Sequence, residues 1–406
     1  MAAGSPTRYE AAMPGPLEGV RIVDVTTMIS GPMATRILGD QGADVIKVEA
    51  PGLGDLVRHM GAMKHGLSST FATTNRNKRS IVIDLKSDEG RNVLRRLVER
   101  ADVFVQNFRP GAVERMGIGE EVLRASRPDL IYVSISGFGE TGPYAHKRVY
   151  DPVVQALSGL AAIQADRDTG RPRMMRLIVP DKLTAVTASQ AITAALYRKA
   201  RSGEGQHLRL SMLDATVAFH WPEGMAGHTW LGRDVSTPGA RYAQDLVFET
   251  ADGFITAGAV SDAEWQGLCR AIDRLDWLED ERFATPAGRV AHAGERLTLL
   301  QDVLRARPSA HWLERFEAED VPCAPVLDRA ALIEHPQILE NALVVEGEHP
   351  VGGPMRQARP AERFDRTPSA IRRPAPTLGE HTDEILRESG VEDVEITRLR
   401  SSRVVA

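Results

Sequence analysis

The regular alternation of apolar, strand-like runs with helical spacing through the first half constrains this chain most. "GVRIVDVT" reads as a strand, "GPMATRILGDQG" carries helical spacing, and "ADVIKVEA" reads as a second strand. The pattern repeats through "SIVIDL", the helix "SDEGRNVLRRLVERA", the strand "DVFVQNF", a short helix and the strand "DLIYVSIS". Pro32 suits the first turn of its helix, where a missing N–H costs nothing. Ser87 is a good N-cap for the long helix, with Asp88 and Glu89 at the favourable end of its dipole. Strands alternating with helices pair in parallel and are covered on both faces. The expected fold is therefore α/β, a Rossmann-like domain on a parallel sheet.

Further on, "RLIVPDKLTAVTASQAITAALYRK" sets Asp181 between an apolar run ending at Pro180 and a helix of small residues. Ala185, Ala188 and Ala191 recur at a spacing of three, with Ala194 and Ala195 beyond, so this helix is expected to be buried against another backbone. Asp181 has two readings. As an N-cap it accepts backbone N–H groups. As a nucleophile it uses the same helix-start setting, which holds a carboxylate ionised. From Phe219 the periodicity weakens. Residues 1–16 read as a loose tail, 17–218 as a large α/β domain, and 219–242 as a linker rich in Gly, His and Trp. Residues 243–326 read as a smaller α+β unit that opens on a hairpin around Ala251, Asp252 and Gly253.

At 406 residues, two domains are the first expectation. Lys and Arg total 50 against 55 Asp and Glu, a formal charge of -5, so no large positive field exists to attract nucleic acid. A short basic cluster, "NRNKRS", is suited at most to a small anionic ligand. Cys269 and Cys323 lie in no metal-ligand spacing, which disfavours a zinc site or disulfide scaffold and points to a reducing cytoplasm. No apolar run approaches a membrane span, and the start lacks the basic and apolar regions of a secretory signal.

Motif chemistry is mostly exclusion. The first βα turn, "VDVTTMISGPM", has Gly31 but no G-x-G-x-x-G, and Glu49 is a weak ribose partner, so a nicotinamide dinucleotide is not expected. No P-loop, G-x-S-x-G or H-E-x-x-H occurs. What remains is a set of loops at strand ends, where parallel sheets bind ligands. Lys86, Arg115 and Arg148 offer charge to phosphates there, and Asn107 and Phe108 offer an amide and a flat face. Each also reads as an ordinary surface or turn residue.

Several blocks resemble the family III CoA-transferases: "PLEGVRIVDVTTMISGPMATRILGDQGADVIKVEAPGLGD", "NRNKRSIVIDLKSDEG", "QNFRPGAVERMG", "SGFGETGPY", "SGEGQHLRLSMLDA" and the late "HPQILENALVVEGEHPVGG". The resemblance runs from Leu17 to about Leu386. It implies a large domain built from both chain ends, with residues 327–406 returning to complete it around an inserted small domain. It also implies an intertwined homodimer of ring-like subunits. The substrates implied are an acyl-CoA and a carboxylic acid, with coenzyme A carried between them and no metal required.

Carried over position by position, the resemblance makes Asp181 the catalytic carboxylate, with Tyr150 beside it. It assigns CoA contacts to Thr27, Ser30, Ile83, Lys86, Asn107, Phe108, Arg115, Arg148 and Met212. Thr27 stands where some relatives have histidine. The glycine-rich small-domain loop of formyl-CoA transferases has no counterpart, so formate–oxalate exchange is not implied. Racemases of the family pair the aspartate with a histidine, but here Tyr150 holds that place. A tyrosine, ordinarily ionising near about pH 10, is a poor proton shuttle at neutrality. Transfer is therefore the expected reaction, with racemisation or non-catalytic acyl-CoA binding as alternatives. Met60, Met63, Met174 and Met175 are candidates for an acyl pocket, and Arg58 and His59 for a dicarboxylate.

Overall fold

The computed structural model describes residues 13–166, 168–232 and 245–406. Its chain divides into two units, Met1–Trp221 with Ala342–Ala406, and Pro222–Asn341. In the first unit six strands pair in parallel: β1 (Arg21–Asp24), β2 (Asp44–Glu49), β3 (Lys78–Val82), β4 (Val103–Gln106), β5 (Ile131–Ser136) and β6 (His207–Ser211). Their order is β3-β2-β1-β4-β5-β6. This is the doubly wound arrangement expected when helical crossovers run first to one side of β1 and then to the other. Five helices bear on the cores and the strand ends: α1 (Ser30–Asp40), α2 (Asp88–Val98), α3 (Asp151–Leu157), α4 (Val179–Ser202) and α5 (Met212–Gly224).

Strand residues alternate between two cores, as a period of two requires. Ile22, Val45, Val103, Val105, Ile131 and Val133 pack with Ala34 and Leu38 of α1 and with Ala185, Ala188 and Ile192 of α4. On the opposite face, Val23, Ile46, Ile81, Phe104 and Tyr132 meet Val93, Leu94 and Leu97 of α2. Ile385, Leu386, Ile396 and Leu399 join that second core from the end of the chain, so the return segment covers the sheet directly. Full burial of each Val, Leu or Ile contributes roughly 2 kcal/mol. The buried stripe of α4 is Ala185, Ala188, Ile192 and Ala195, while Ala194 is exposed. A helix turning every 3.6 residues carries a strict spacing of three off the buried face.

Ser87 caps α2 by accepting the Gly90 N–H at 3.0 Å, with Asp88 and Glu89 in the first turn. Further along, α5 continues through Gly224, and Ala226–Thr229 is also helical, where the sequence read as a linker. Its low polarity contrast masked the helix, but buried His220 anchors it through an Nε2 bond to the Ser158 carbonyl at 2.9 Å. The later part of that linker, 233–242, and tail residues 1–12 lie outside the described residues.

In the second unit β7 (Val247–Glu249), β8 (Phe254–Ala257) and β9 (Cys323–Pro325) form an antiparallel sheet in the order β9-β8-β7. The hairpin closes where expected, with Thr250 N–H donating to the Gly253 carbonyl at 2.9 Å. Trp265, Trp277, Phe283, Trp312 and Phe316 fill its core. Ser261 and Glu264 form a reciprocal capping box on the helix Asp262–Ala271.

Candidate active site

Strands β1 and β4 are neighbours whose crossovers leave in opposite directions, so a crevice opens at their carboxyl ends. Asn107 bridges it. Its Oδ1 accepts the Thr27 N–H at 2.9 Å, and its Nδ2 donates to the Thr27 carbonyl at 2.8 Å. Beside this bridge lies a cleft of about 260 Å³ whose wall includes Thr27, Ser30, Asn107, Phe108, Arg148, Tyr150, Asp181 and Met212. A loop, a strand end, two helix starts and a helix entry thus bring these expected residues together.

Asp181 is the third residue of α4, not its cap. The helix begins at Val179, and Ile178 before it makes no side-chain cap bond. The Asp181 N–H donates to Asp151 Oδ2 at 3.1 Å, while Asp151 Oδ1 accepts Gln155 Nε2 at 2.6 Å. Asp181 and Ser30, the first residue of α1, line the same cleft, and the Ser30 hydroxyl and backbone N–H act on the Asp181 carboxylate as donors that favour its ionised form. Burial is the main cause of a pKa pushed up to about 6, the Asp151 charge adds to it, and the Ser30 bonds pull the other way. Desolvation and a like charge thus outweigh the acid-strengthening effect of the helix start. At pH 7 such a carboxylate is still roughly nine-tenths ionised, with nucleophilicity undiminished by a strong charge partner.

Around Asp181 the cleft is cationic. Arg109 and Lys147 line it with Arg148. Lys147 sits over the Tyr144 ring, 3.3 Å from its centroid. Neither Arg109 nor Arg148 has an ion-pair partner among the described residues. Tyr150 precedes α3 and is 65% exposed. Phe108 and Met212 supply apolar surface.

Ile83, Lys86 and Arg115 do not line the cleft. Ile83 is fully buried in the core and bridges Val405, while Lys86 and Arg115 are exposed on neighbouring segments. The basic side chains of "NRNKRS" are engaged in internal ion pairs. Arg76 pairs with Asp40, Lys78 with Asp24, and Arg79 with Asp44, Glu384 and Glu388. Glu49 and Arg58 are likewise spent on each other, at 2.7 Å. Met60, Met63 and Met174 are exposed away from the cleft wall. Among the described residues no three His, Cys, Asp or Glu side chains gather into a metal-binding group.

Sequence reasoning missed Asp151, Arg109, Lys147 and Gly137. Asp151 was readable as an Asp-Pro helix start in "YDPVV". Gly137 was readable in "SGFG": a Cβ there would fall 2.4 Å from a Val149 methyl, so only glycine lets the two cleft loops meet.

The model of CoA-transferase family III matches residues 17–382. The human protein named succinyl-CoA:glutarate CoA-transferase is 35% identical, over 92% of this chain and 86% of its own. The Agrobacterium fabrum succinate–glutarate CoA-transferase is 36% identical, over 92% of this chain and 95% of its own. Among solved structures, Rv3272 from M. tuberculosis superposes with a TM-score of 0.81 at 29% identity, covering 92% of this chain and 100% of that one. A CAIB/BAIF family protein from Brucella suis gives 0.79 at 31% identity, covering 93% and 100%. With the fold, the strand-end cleft and these matches in agreement, the chain belongs to CoA-transferase family III.

Proposed function

We propose that the cleft moves coenzyme A from an acyl-CoA to a carboxylic acid, with Asp181 as the covalent carrier. The observation that carries this reading is the Asp181 carboxylate, without a cationic partner among the described residues, beside the Ser30 donors in a cleft lined by Arg109, Lys147 and Arg148. Asp181 attacks the donor thioester carbonyl, forms an aspartyl–acyl anhydride and expels CoA thiolate. The thiolate attacks the aspartyl carbonyl, forms an aspartyl-CoA thioester and releases the donor carboxylate. The acceptor carboxylate then attacks this thioester, giving a new anhydride. Thiolate finally takes the acceptor acyl group and frees Asp181. Each activated bond is exchanged for another, so no ATP is consumed.

The Ser30 N–H and hydroxyl lie where negative charge grows on the aspartyl oxygen, each worth about 3 kcal/mol if they follow it through the tetrahedral stages. Arg109, Lys147 and Arg148 suit the phosphates of CoA, and Phe108 its flat or apolar parts. Tyr150, exposed at the mouth, serves to orient a bound carboxylate. Cys269 and Cys323 are both free, which fits a cytoplasmic enzyme. Pro222–Asn341 interrupts the first unit in sequence, consistent with an inserted domain in an intertwined homodimer. Light scattering should then find a dimer that dissociates only on unfolding.

Succinyl-CoA with glutarate is the first pair to assay, because two relatives carry those acids in their names. Glutaryl-CoA should appear only when enzyme, donor and acceptor are all present. Failure with this pair and with a panel of acyl-CoAs and mono- and dicarboxylates would overturn the reading. A chiral 2-methylacyl-CoA in deuterated water should take up little α-deuterium, because Tyr150 replaces the second base; uptake matching the transfer rate would favour racemisation instead.

A further inference from the structure

The loop joining β1 to α1 is held almost wholly by side chains from elsewhere. Asp24 Oδ1 accepts the Thr26 N–H at 2.9 Å. Lys47 Nζ donates to the Thr26 carbonyl at 3.0 Å, and Asn107 takes both backbone groups of Thr27. Asp55 Oδ1 accepts the Met28 N–H at 3.1 Å, while its Oδ2 pairs with Lys47 at 2.9 Å. Lys47 and Asp55 are fully buried, and neither side chain lines the cleft.

Met28 has a φ of 70°, a left-handed conformation that a non-glycine residue adopts at a cost. Two residues later comes Ser30, which lines the cleft together with Asp181 and whose N–H and hydroxyl favour the ionised carboxylate. The chain must reverse at Met28 for the start of α1 to face α4. The bond from Met28 to Asp55 offsets that reversal, and Asp55 is held by Lys47 together with the Val57 N–H on its Oδ1 and Glu49 on its own N–H. A buried ion pair is seldom retained for stability alone, since an apolar pair of equal volume does as well. Here both partners also bond the same loop.

We infer that the buried Lys47–Asp55 pair is a positioning device for the transfer reaction, fixing the left-handed turn at Met28 so that Ser30 meets Asp181. The inference rests on the transfer reading above, but one of its tests does not. The charged groups around Asp181 are Asp151 on α3 and, along the cleft, Arg109, Lys147 and Arg148. None of these contacts Lys47 or Asp55, so a change transmitted from Asp55 must arrive through Ser30. With the Ser30 donors displaced, burial and Asp151 act unopposed, and Asp181 then ionises at higher pH.

The first test compares wild type, Ser30→Ala and Asp55→Asn with succinyl-CoA and glutarate between pH 5 and 8. Asp55→Asn should lower kcat about tenfold or more while KM for succinyl-CoA stays within about twofold. The acid limb should move up by about half a pH unit, in the same direction as Ser30→Ala. Adding Lys47→Gln to Asp55→Asn makes the pair neutral and should recover most of the activity and the limb. A fall in kcat with the limb unmoved would mean a merely structural role and would overturn the inference. If Asp55→Asn does not fold, Met28→Gly loosens the same turn without burying a lone charge and should shift the limb the same way; an unmoved limb there overturns the inference equally.

The second test needs no turnover. Asp181→Asn should raise the melting temperature at pH 7 but not near pH 4, and the rise should be larger when Asp55→Asn is also present. An equal rise in both backgrounds would sink the positioning role even if wild type transfers no CoA. Inactivity of wild type alone would count against the transfer reading only.

Discussion

Two sets of basic residues lie within one unit and do opposite work. Under the sheet ends, Lys47, Lys78, Arg76 and Arg79 are buried, Arg58 is half-buried, and each is paired with a carboxylate. Along the cleft, Arg109 and Arg148 lack ion-pair partners among the described residues, and Lys147 rests on an aromatic face. Lys78 shows how complete the first commitment is, with its three donors taken by Asp24, Asn75 and the Pro32 carbonyl at 2.8–2.9 Å. Burial nonetheless pushes its pKa down to about 8. The difference teaches that charge in this protein has been sorted by depth. Buried cations shape the strand-end loops, and cations left unpaired at the mouth are the ones free to meet a phosphate or carboxylate.

The comparison breaks most visibly at the carboxylate between the two sets. Asp181→Ala should cut transfer by about a thousandfold or more while CoA still binds, measured by initial rates and by calorimetry. Next, Lys78→Met should cost roughly 3–5 kcal/mol of stability, because it strands Asp24 as a buried unpaired charge; denaturant unfolding reads this out. Arg148→Ala should do the reverse. It should raise KM for acyl-CoA about tenfold and leave the unfolding midpoint unchanged. Equal stability losses from the Lys78 and Arg148 variants would erase the distinction.

The smallest effect is a shift in pH dependence. Asp181 must be ionised to attack, so kcat/KM should fall on the acid side with a limb near the pKa of about 6. Asp151→Asn removes the like charge and should move that limb down by roughly half a unit or more, with little change at pH 7, where Asp181 is already mostly ionised. The same shift has a stability sign. Asp181 has a folded pKa above its unfolded one, so its ionisation opposes folding as pH rises from about 4 through 6, and that penalty persists above.

Much of the fold was legible because parallel strands and their helices leave period-two and 3.6-residue signatures, as in Ile22 and Val23 facing opposite cores. Thr27, Ser30, Asn107 and Asp181, which line one cleft, were legible as candidate site residues because they end strands or begin helices in blocks that resemble a known family. What stayed hidden depended on depth. "NRNKRS" looks like a solvent-facing anion site, and nothing local says that Asp40, Asp24 and Asp44 will neutralise it from distant positions. The Asp151 effect on Asp181 is a contact across 30 residues, invisible to spacing. Helix α5 was obscured because Gly, His and Trp at its end carry no clear amphipathic stripe, though His220 fixes it from within.

The central claim is that Asp181 carries the transferred groups covalently. Enzyme incubated with succinyl-CoA and quenched in acid should yield a proteolytic peptide containing Asp181 with the added mass of CoA in thioester linkage. With hydroxylamine present during turnover, the same peptide should carry a hydroxamate instead. Adduct at Asp181 and nowhere else is the result this account predicts. Full turnover with Asp181 unmodified, or an adduct that survives in Asp181→Ala, would contradict it.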